Sequence, residues 1–239
     1  FKVFIEDVVV LNKLGFNPII VHGGGKRINN KLSEVNIKSN FINGLRVTDK
    51  DTINIVEDVL IEFNKEIVEA LNELDSKAKR ITTKENNIIT VVQENKDLGF
   101  VGKPTGINKE FLTEIIKANE VPVIAPLGSD KDNQTFNINA DTAAGSIAIE
   151  LKARRLMIIS DVEGVLDSEK KLIPEINSKK ANELIDQEVI SGGMIPKIKN
   201  CLDVASNGVK AVVIIDGRKN HSLLFELLSD KGSGTLIRE

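Results

Sequence analysis

Short apolar runs alternate with amphipathic, helix-length segments along this chain of 239 residues. Strands are predicted at Ile19–Val21, Val121–Pro126, Leu156–Ile159 and Val209–Ile215. The longest helical pattern follows Thr48, with apolar residues at steps of three and four: Ile53, Val56, Leu60, Phe63, Ile67, Leu71 and Leu74. Such alternation is typical of a parallel sheet covered by helices on both faces. We therefore predict an α/β fold, a three-layer αβα sandwich with a mostly parallel central sheet.

Local patterns place the other elements. A helix around Ile5 is expected to end before the first strand, and Thr48 with Asp51 can cap the long helix. Leu98–Gly102 is read as a short strand. Further helices are predicted at Ala140–Leu151, Ser178–Asp186, Ile195–Asn207 and Ser222–Leu228. A new set of strands and helices after Arg154 predicts two lobes, residues 1–153 and 154–239.

Composition excludes several classes of protein. A net charge of −3 provides no basic surface for nucleic acid. The single cysteine, Cys201, rules out an internal disulfide and fits the reducing cytoplasm, while His22 and His221 are too few for a histidine-based zinc site. No apolar run reaches the ~20 residues of a membrane-spanning helix. We expect a cytoplasmic protein with no protein-bound metal, no nucleic-acid partner and no membrane partner.

Three glycines follow the first predicted strand, in Val21-His22-Gly23-Gly24-Gly25, and a helical pattern begins there. Glycine lets backbone N–H groups approach an anion, and a helix N-terminus adds unpaired N–H groups and a positive dipole end. The spacing matches neither the dinucleotide-binding nor the Walker motif. An anion-binding loop and a simple tight turn both remain open.

A second polar segment, Asn137-Ile138-Asn139-Ala140-Asp141, stands at a predicted helix start. Asn137 offers donors and an acceptor, and Asp141 can orient an ammonium group. By themselves, Asp141 could equally be an acid favoured by the helix dipole, Asp161 a turn cap and Lys197 a surface charge.

Five segments in order carry a resemblance to the amino acid kinase family. They are residues 22–25, 43–48, 137–141, the run Ser160-Asp161-Val162-Glu163-Gly164-Val165-Leu166, and residues 192–197. The resemblance implies the fold of that family and ATP-dependent phosphorylation of the side-chain carboxylate of N-acetyl-L-glutamate, a step of arginine biosynthesis. ATP with Mg²⁺ is the implied cofactor. The resemblance also implies a first lobe for acetylglutamate binding and dimerisation and a second for ATP binding.

The same resemblance assigns residues to roles. Gly24, Gly25, Arg46 and Asn137 are expected to bind the substrate, with Arg46 on its α-carboxylate. Lys197 is expected to stabilise the transferring phosphoryl group and Asp141 to hold the catalytic lysines in register. The implied ATP-binding residues are Asp161, Val162, Glu163, Gly164, Val165, Leu166, Val189, Ile190 and Ser191.

The C-terminal part resembles the arginine-inhibited branch of the family, with His221, Glu226 and Gly232 as a possible arginine site. A homodimer or a hexamer built as a trimer of dimers is implied. Family members begin with a strand that carries a phosphate-contacting lysine. We expect that strand upstream of Phe1, and little activity without it.

Two alternative functions stay open. A kinase for a related carboxylate, such as an aminoadipate derivative, would differ around residues 43–48. A non-catalytic ligand-sensing domain of the same fold would bind nucleotide without turnover.

Overall fold

The computed structural model describes residues 1–239, which form two compact units. The central unit is Val8–Ala143, and the terminal unit combines Phe1–Asp7 with Ala144–Glu239. The α/β class and its parallel strand pairing are confirmed. None of the helices combines the length and the apolar character needed to cross a bilayer.

Eight α-helices and thirteen strands make up the chain. The helices are α1 Lys2–Lys13, α2 Gly25–Glu34, α3 Lys50–Glu73, α4 Lys109–Lys117, α5 Ala140–Glu150, α6 Ser178–Asp186, α7 Met194–Ser206 and α8 Ser222–Leu228. The strands are β1 Ile20–Val21, β2 Phe41–Ile42, β3 Leu45–Arg46, β4 Ala78–Ile81, β5 Ile89–Gln93, β6 Gly102–Ile107, β7 Val121–Ile124, β8 Leu127–Ser129, β9 Thr135–Asn137, β10 Arg155–Ser160, β11 Glu175–Ile176, β12 Ala211–Asp216 and β13 Thr235–Ile237.

In the central unit, a parallel sheet of order β1-β7-β4 places the glycine segment. Val21 and Ile81 both pair with Ile124, so the three strands end at one edge. The chain leaves β1 at that edge through residues 22–24 and enters α2. Ligands of parallel α/β sheets bind beyond this carboxyl edge. A mixed sheet of order β6-β5-β8-β9 and the β2-β3 hairpin complete the unit.

Helices α2 and α3 pack together because both present an apolar face. Ile28 and Leu32 of α2 lie against Val56 and Leu60 of α3, and all four side chains are nearly inaccessible to solvent. Five of the seven apolar residues in the pattern after Thr48 form the buried face of α3: Ile53, Val56, Leu60, Ile67 and Leu71. Phe63 is half-buried, and Leu74 is 38% exposed and lies beyond the end of the helix.

The terminal unit contains a sheet of order β10-β12-β13-β11. β10 runs parallel to β12 over six residue pairs, from Arg155 with Ala211 to Ser160 with Asp216. β13 is antiparallel to β12 and parallel to β11. Ile158, Ile198, Cys201 and Ile214 belong to its apolar core, which makes Cys201 a structural residue.

Two local expectations were wrong, and one helix was missed. Thr48 does not cap α3, since the Asp49 side chain accepts a hydrogen bond from the Thr52 N–H at 2.8 Å and Thr48 is still extended chain. Leu98–Gly102 is not one strand, because Leu98 ends a 3₁₀ turn, Gly99 has φ +68°, and β6 begins only at Gly102. Helix α4 was not predicted, although Asn108 caps it.

Candidate functional site

The glycine segment leaves the first turn of α2 open to a ligand. Gly24 occupies the N-cap position and supplies no side-chain acceptor to the helix. Its backbone carbonyl accepts the Ile28 N–H at 2.9 Å, so the N–H groups before Ile28 remain available. A β-carbon on Gly24 would lie 2.7 Å from Leu60 Cδ2, whereas one on Gly25 would meet no atom within 4 Å. A side chain at Gly24 would thus force the buried Leu60 side chain to shift, whereas Gly25 faces open space.

Arg46, at the end of β3, is a buried cation without a carboxylate partner. Arg46 is only 8% exposed to solvent. Nη1 donates to Ser39 Oγ at 2.7 Å and Nη2 to the Gly25 carbonyl at 3.3 Å, both neutral acceptors. The guanidinium carbon lies 4.8 Å from the centre of the Phe41 ring. Burial lowers the pKa of Arg46, but an arginine remains charged at neutral pH.

Asn137 and Asn139 lie on either side of the turn from β9 into α5. The Asn137 side-chain nitrogen donates to Thr48 Oγ1 at 3.2 Å, and its backbone N–H donates to the Phe100 carbonyl at 2.9 Å. Asn139 Oδ1 accepts the Thr142 N–H at 3.1 Å, which is the hydrogen bond of an N-cap. Asn139 therefore fixes where α5 begins.

These residues line one cavity of about 190 Å³ in the central unit. Its lining consists of Gly23, Gly24, Gly25, Ile28, Phe41, Gly44, Leu45, Arg46, Leu60, Val101, Pro126, Asn137, Ile138, Asn139 and Ala140. Four residues predicted to bind substrate, Gly24, Gly25, Arg46 and Asn137, are thus brought together. The first turns of α2 and α5 and an unneutralised guanidinium face the cavity, so it favours a small anion with an apolar part.

Behind the glycines, His22 is a neutral, buried hydrogen-bonding residue. Asn64 Nδ2 donates to His22 Nε2 at 3.1 Å and to the Val123 carbonyl at 2.9 Å. Nε2 is then the acceptor nitrogen, which leaves the proton on Nδ1, 3.3 Å from the Gly23 carbonyl. Burial lowers the pKa of His22 to about 4. His22 supports the loop and offers no charge to a ligand.

In the terminal unit, residues Asp161–Leu166 follow β10 as a loop held against β13. The Val165 N–H donates to Thr235 Oγ1 at 2.8 Å, and Thr235 Oγ1 donates to the Ile173 carbonyl at 2.7 Å. Gly164 has φ +141°, and a β-carbon there would lie 2.6 Å from Thr235 Oγ1. Val165 is buried, whereas Asp161 is exposed at the carboxyl end of β10.

Asp216 is a second charged group near this loop, at the end of β12 next to the end of β10. Asp216 accepts from Arg218 Nε and Nη2, each at 2.9 Å, and these hydrogen bonds lower the pKa of Asp216 to about 2. The Gly217 N–H donates to the Ser160 carbonyl at 2.8 Å, which joins the ends of β10 and β12. Lys219 forms an ion pair with Glu163 at 3.2 Å.

The remaining predicted ATP residues precede α7. Ser191 is exposed, Val189 is half-buried, and Ile190 is 2% exposed within the apolar core. A ligand could therefore reach Ile190 only through its backbone. Lys197 lies in the first turn of α7 in the terminal unit, and Asp141 lies in the first turn of α5 in the central unit.

The three residues of the possible arginine site fall in two places. His221 is in the left-handed conformation before α8, and its Nδ1 lies 2.6 Å from Asp7 Oδ1. It lines a second cavity, of about 400 Å³, together with Arg218 and Lys219. Glu226 instead accepts the Ser233 N–H at 2.6 Å, and Gly232 packs against its carboxylate.

Asn139 and Phe41 line the first cavity and were missed in the sequence. An Asn placed three residues before Thr142 at a helix start is a capping signal, so Asn139 could have been found. The stacking of Phe41 on Arg46 depends on the β2-β3 hairpin, and no local sequence pattern predicts that hairpin.

The chain is similar to known proteins over its whole length. The model of the amino acid kinase family matches residues 1–216. An acetylglutamate kinase of Pelagibacter ubique (strain HTCC1062) is 96% identical over 239 residues, which cover 100% of this chain and 83% of that protein. An acetylglutamate kinase of Ruegeria pomeroyi (strain ATCC 700808 / DSM 15171 / DSS-3) is 46% identical over 236 residues, 98% of this chain and 82% of that protein.

Among solved structures, the crystal structure of smu.665 from Streptococcus mutans UA159 is similar, with a TM-score of 0.86 and 32% sequence identity. The match covers 98% of this chain and 91% of that one. The similarity thus extends over both compact units.

Proposed function

We propose that this chain, which belongs to the amino acid kinase family and within it to the acetylglutamate kinases, transfers the γ-phosphoryl group of ATP to the side-chain carboxylate of N-acetyl-L-glutamate. The product is the acyl phosphate N-acetylglutamyl 5-phosphate, an intermediate of arginine biosynthesis. The observation that carries the proposal is the cavity in the central unit, where two helix N-termini and Arg46 face an apolar-lined space.

Each part of the substrate has a counterpart in this cavity. The Arg46 guanidinium, which lacks an acidic partner, would form paired hydrogen bonds with the α-carboxylate. The N–H groups at Gly24 and Gly25 would face the reacting carboxylate, where negative charge is concentrated during transfer. Asn137 would hold the acetylated part of the substrate.

Phosphoryl transfer needs little covalent chemistry from the protein. It depends mainly on groups that neutralise the negative charge of the phosphate oxygens. We propose that Lys197, at the start of α7, stabilises the transferring phosphoryl group and that Asp141 orients the catalytic lysines. Both assignments come from matching positions in the family.

The proposed nucleotide residues are those after β10, Asp161–Leu166, and those before α7, Val189–Ser191. No group of three or more His, Cys, Asp and Glu side chains converges in the structure to form a metal cage. Mg²⁺ usually keeps several waters and binds through substrate phosphates with one or two carboxylates. We expect Mg²⁺ to arrive with ATP, where it would neutralise phosphate charge.

We further propose that the protein works in the cytoplasm as a homodimer or as a hexamer of three dimers. Arginine, the product of the pathway, is the proposed feedback inhibitor, with His221, Glu226 and Gly232 as its candidate contacts. His221 lines a cavity that also contains the cations Arg218 and Lys219.

The test is to trap the acyl phosphate with hydroxylamine, using purified full-length protein, ATP and Mg²⁺. N-acetyl-L-glutamate should give hydroxamate with a much higher kcat/KM than N-acetyl-L-2-aminoadipate, which is longer by one methylene. An equal or higher value for the aminoadipate derivative would transfer the proposal to that substrate. Nucleotide binding without any hydroxamate would favour a ligand-sensing domain.

A further inference from the structure

Thr48 lies behind the cavity and contacts two of its lining residues. The residue is fully buried, at 0% exposure, and does not itself line the cavity. Its Oγ1 donates to the Arg46 backbone carbonyl at 3.0 Å and accepts from Asn137 Nδ2 at 3.2 Å. One hydroxyl thus joins the β3 residue and the β9 residue that we propose to bind acetylglutamate.

The chemistry of these three groups determines the direction of both hydrogen bonds. A backbone carbonyl can only accept, so the single Thr48 hydroxyl hydrogen is committed to Arg46. The Thr48 oxygen must then accept a hydrogen, and the amide nitrogen of Asn137 supplies it. With its amide nitrogen on Thr48, Asn137 keeps its amide oxygen for another donor.

The backbone around Thr48 is fixed as well. The Thr48 N–H donates to the Leu98 carbonyl at 2.9 Å, and the Phe100 N–H donates to the Thr48 carbonyl at 2.6 Å. The carbonyl of Phe100, two residues after Leu98, accepts the Asn137 N–H at 2.9 Å. Segment 98–100 therefore links the backbones of Thr48 and Asn137 through hydrogen bonds. The Thr48 hydroxyl thus joins two residues whose backbones are already held together.

We propose that the Thr48 hydroxyl is a positioning group for substrate recognition: it sets which edge of the Asn137 amide faces the ligand. This inference rests on the proposed acetylglutamate site. Without the hydroxyl, the Asn137 amide can rotate and present either edge, and part of the population would offer the ligand the wrong group.

The experiment compares Thr48→Val, which keeps the shape and removes both hydrogen bonds, with Thr48→Ser, which restores the hydroxyl. In the full-length protein, Thr48→Val should raise the KM for acetylglutamate about tenfold, the worth of one or two hydrogen bonds. The KM for ATP and kcat should each change less than about threefold, and Thr48→Ser should stay within about threefold of wild type.

Thr82→Val is the matched control, because Thr82 is also buried and its Oγ1 accepts one backbone N–H, that of Glu85, at 3.0 Å. It should leave the KM for acetylglutamate unchanged. If valine prevents folding, Thr48→Cys replaces it, since a thiol donates and accepts hydrogen bonds only weakly.

A double-mutant cycle with Asn137→Ala separates positioning from general damage. If Thr48 acts through the Asn137 amide, Thr48→Val should have little further effect once that amide is absent. Fully additive effects, an unchanged KM in Thr48→Val, or failure of serine to rescue would each overturn the inference. If wild-type protein makes no acyl phosphate from acetylglutamate, the proposed function fails first and this inference falls with it.

Discussion

At the scale of single residues, the uncompensated charge of Arg46 is the strongest indication of a ligand. Removing a guanidinium from water without an acidic partner is unfavourable, and native proteins rarely leave such a charge unpaired. Arg46 has only neutral acceptors at Ser39 and Gly25, and it lines a cavity. An anionic ligand would supply the missing partner.

Replacing this guanidinium tests that role. Arg46→Lys keeps the charge but loses the paired donor geometry, so the KM for acetylglutamate should rise about tenfold to a hundredfold. The KM for ATP should stay nearly constant. Arg27→Lys is the control, because Arg27 makes the same paired contact, at 2.7 Å, but with Glu66 on the exposed surface. Equal effects of Arg46→Lys on both substrates would contradict the assignment.

His22 makes stability depend on pH. Its pKa in the folded state is about 4, because burial disfavours the imidazolium, against about 6.5 when unfolded. The unfolded chain therefore binds the proton more readily, and stability is lost as the pH falls from 6.5 toward 4. The loss from this group is about 3 kcal/mol.

The measurement is urea unfolding of wild type and His22→Gln between pH 7.5 and 4. The variant should be less stable at pH 7.5, but the difference between the two proteins should shrink as the pH falls. Parallel curves over the whole range would show that His22 is not buried in its neutral form.

At the scale of elements, two adjacent glycines at the N-terminus of α2 should respond in opposite ways when each is replaced by alanine. Gly25→Ala adds a methyl group where no atom lies within 4 Å and favours helix, so the melting temperature should hold or rise. The same methyl group would keep the substrate from the first-turn N–H groups, and we expect about a tenfold higher KM for acetylglutamate. Gly24→Ala should instead lower stability, because its methyl group meets Leu60 Cδ2 at 2.7 Å.

Asn30→Ala serves as the control on the same helix, since Asn30 is exposed and outside the cavity lining. Asn30→Ala should change neither the melting temperature nor the KM for acetylglutamate. A Gly25→Ala enzyme with wild-type KM would mean that the start of α2 does not approach the substrate.

The sequence was sufficient for elements whose pattern is long and local. The apolar period of α3 and the runs that became β7, β10 and β12 need only near neighbours. The family motifs singled out Gly24, Gly25, Arg46 and Asn137, which line one cavity; their role in substrate binding stays a prediction. Prediction from the sequence failed where a single tertiary contact determines the local structure. Thr48 and Asp49 are both plausible caps, and the choice of Asp49 depends on Thr48 being paired with the segment around Gly99.

At the scale of the whole molecule, the proposed reaction uses Lys197 of the terminal unit. Loss of a preorganised cation that stabilises developing charge typically reduces turnover ~10²–10³-fold. Lys197→Ala in the full-length protein should reduce kcat to that extent with little change in ATP affinity, as steady-state kinetics and nucleotide titration would show. Lys199→Ala, two residues further along α7 and exposed, should leave kcat intact. Equal losses in both variants would mean that the charge of α7, and not Lys197 itself, matters.

The most direct test of the central claim is a crystal structure of the protein with N-acetyl-L-glutamate bound. We predict the ligand in the cavity of the central unit, its α-carboxylate on the Arg46 guanidinium and its side-chain carboxylate facing the N–H groups at Gly24 and Gly25. Acetylglutamate bound elsewhere, or bound there with Arg46 still paired only with Ser39 and Gly25, would contradict the account.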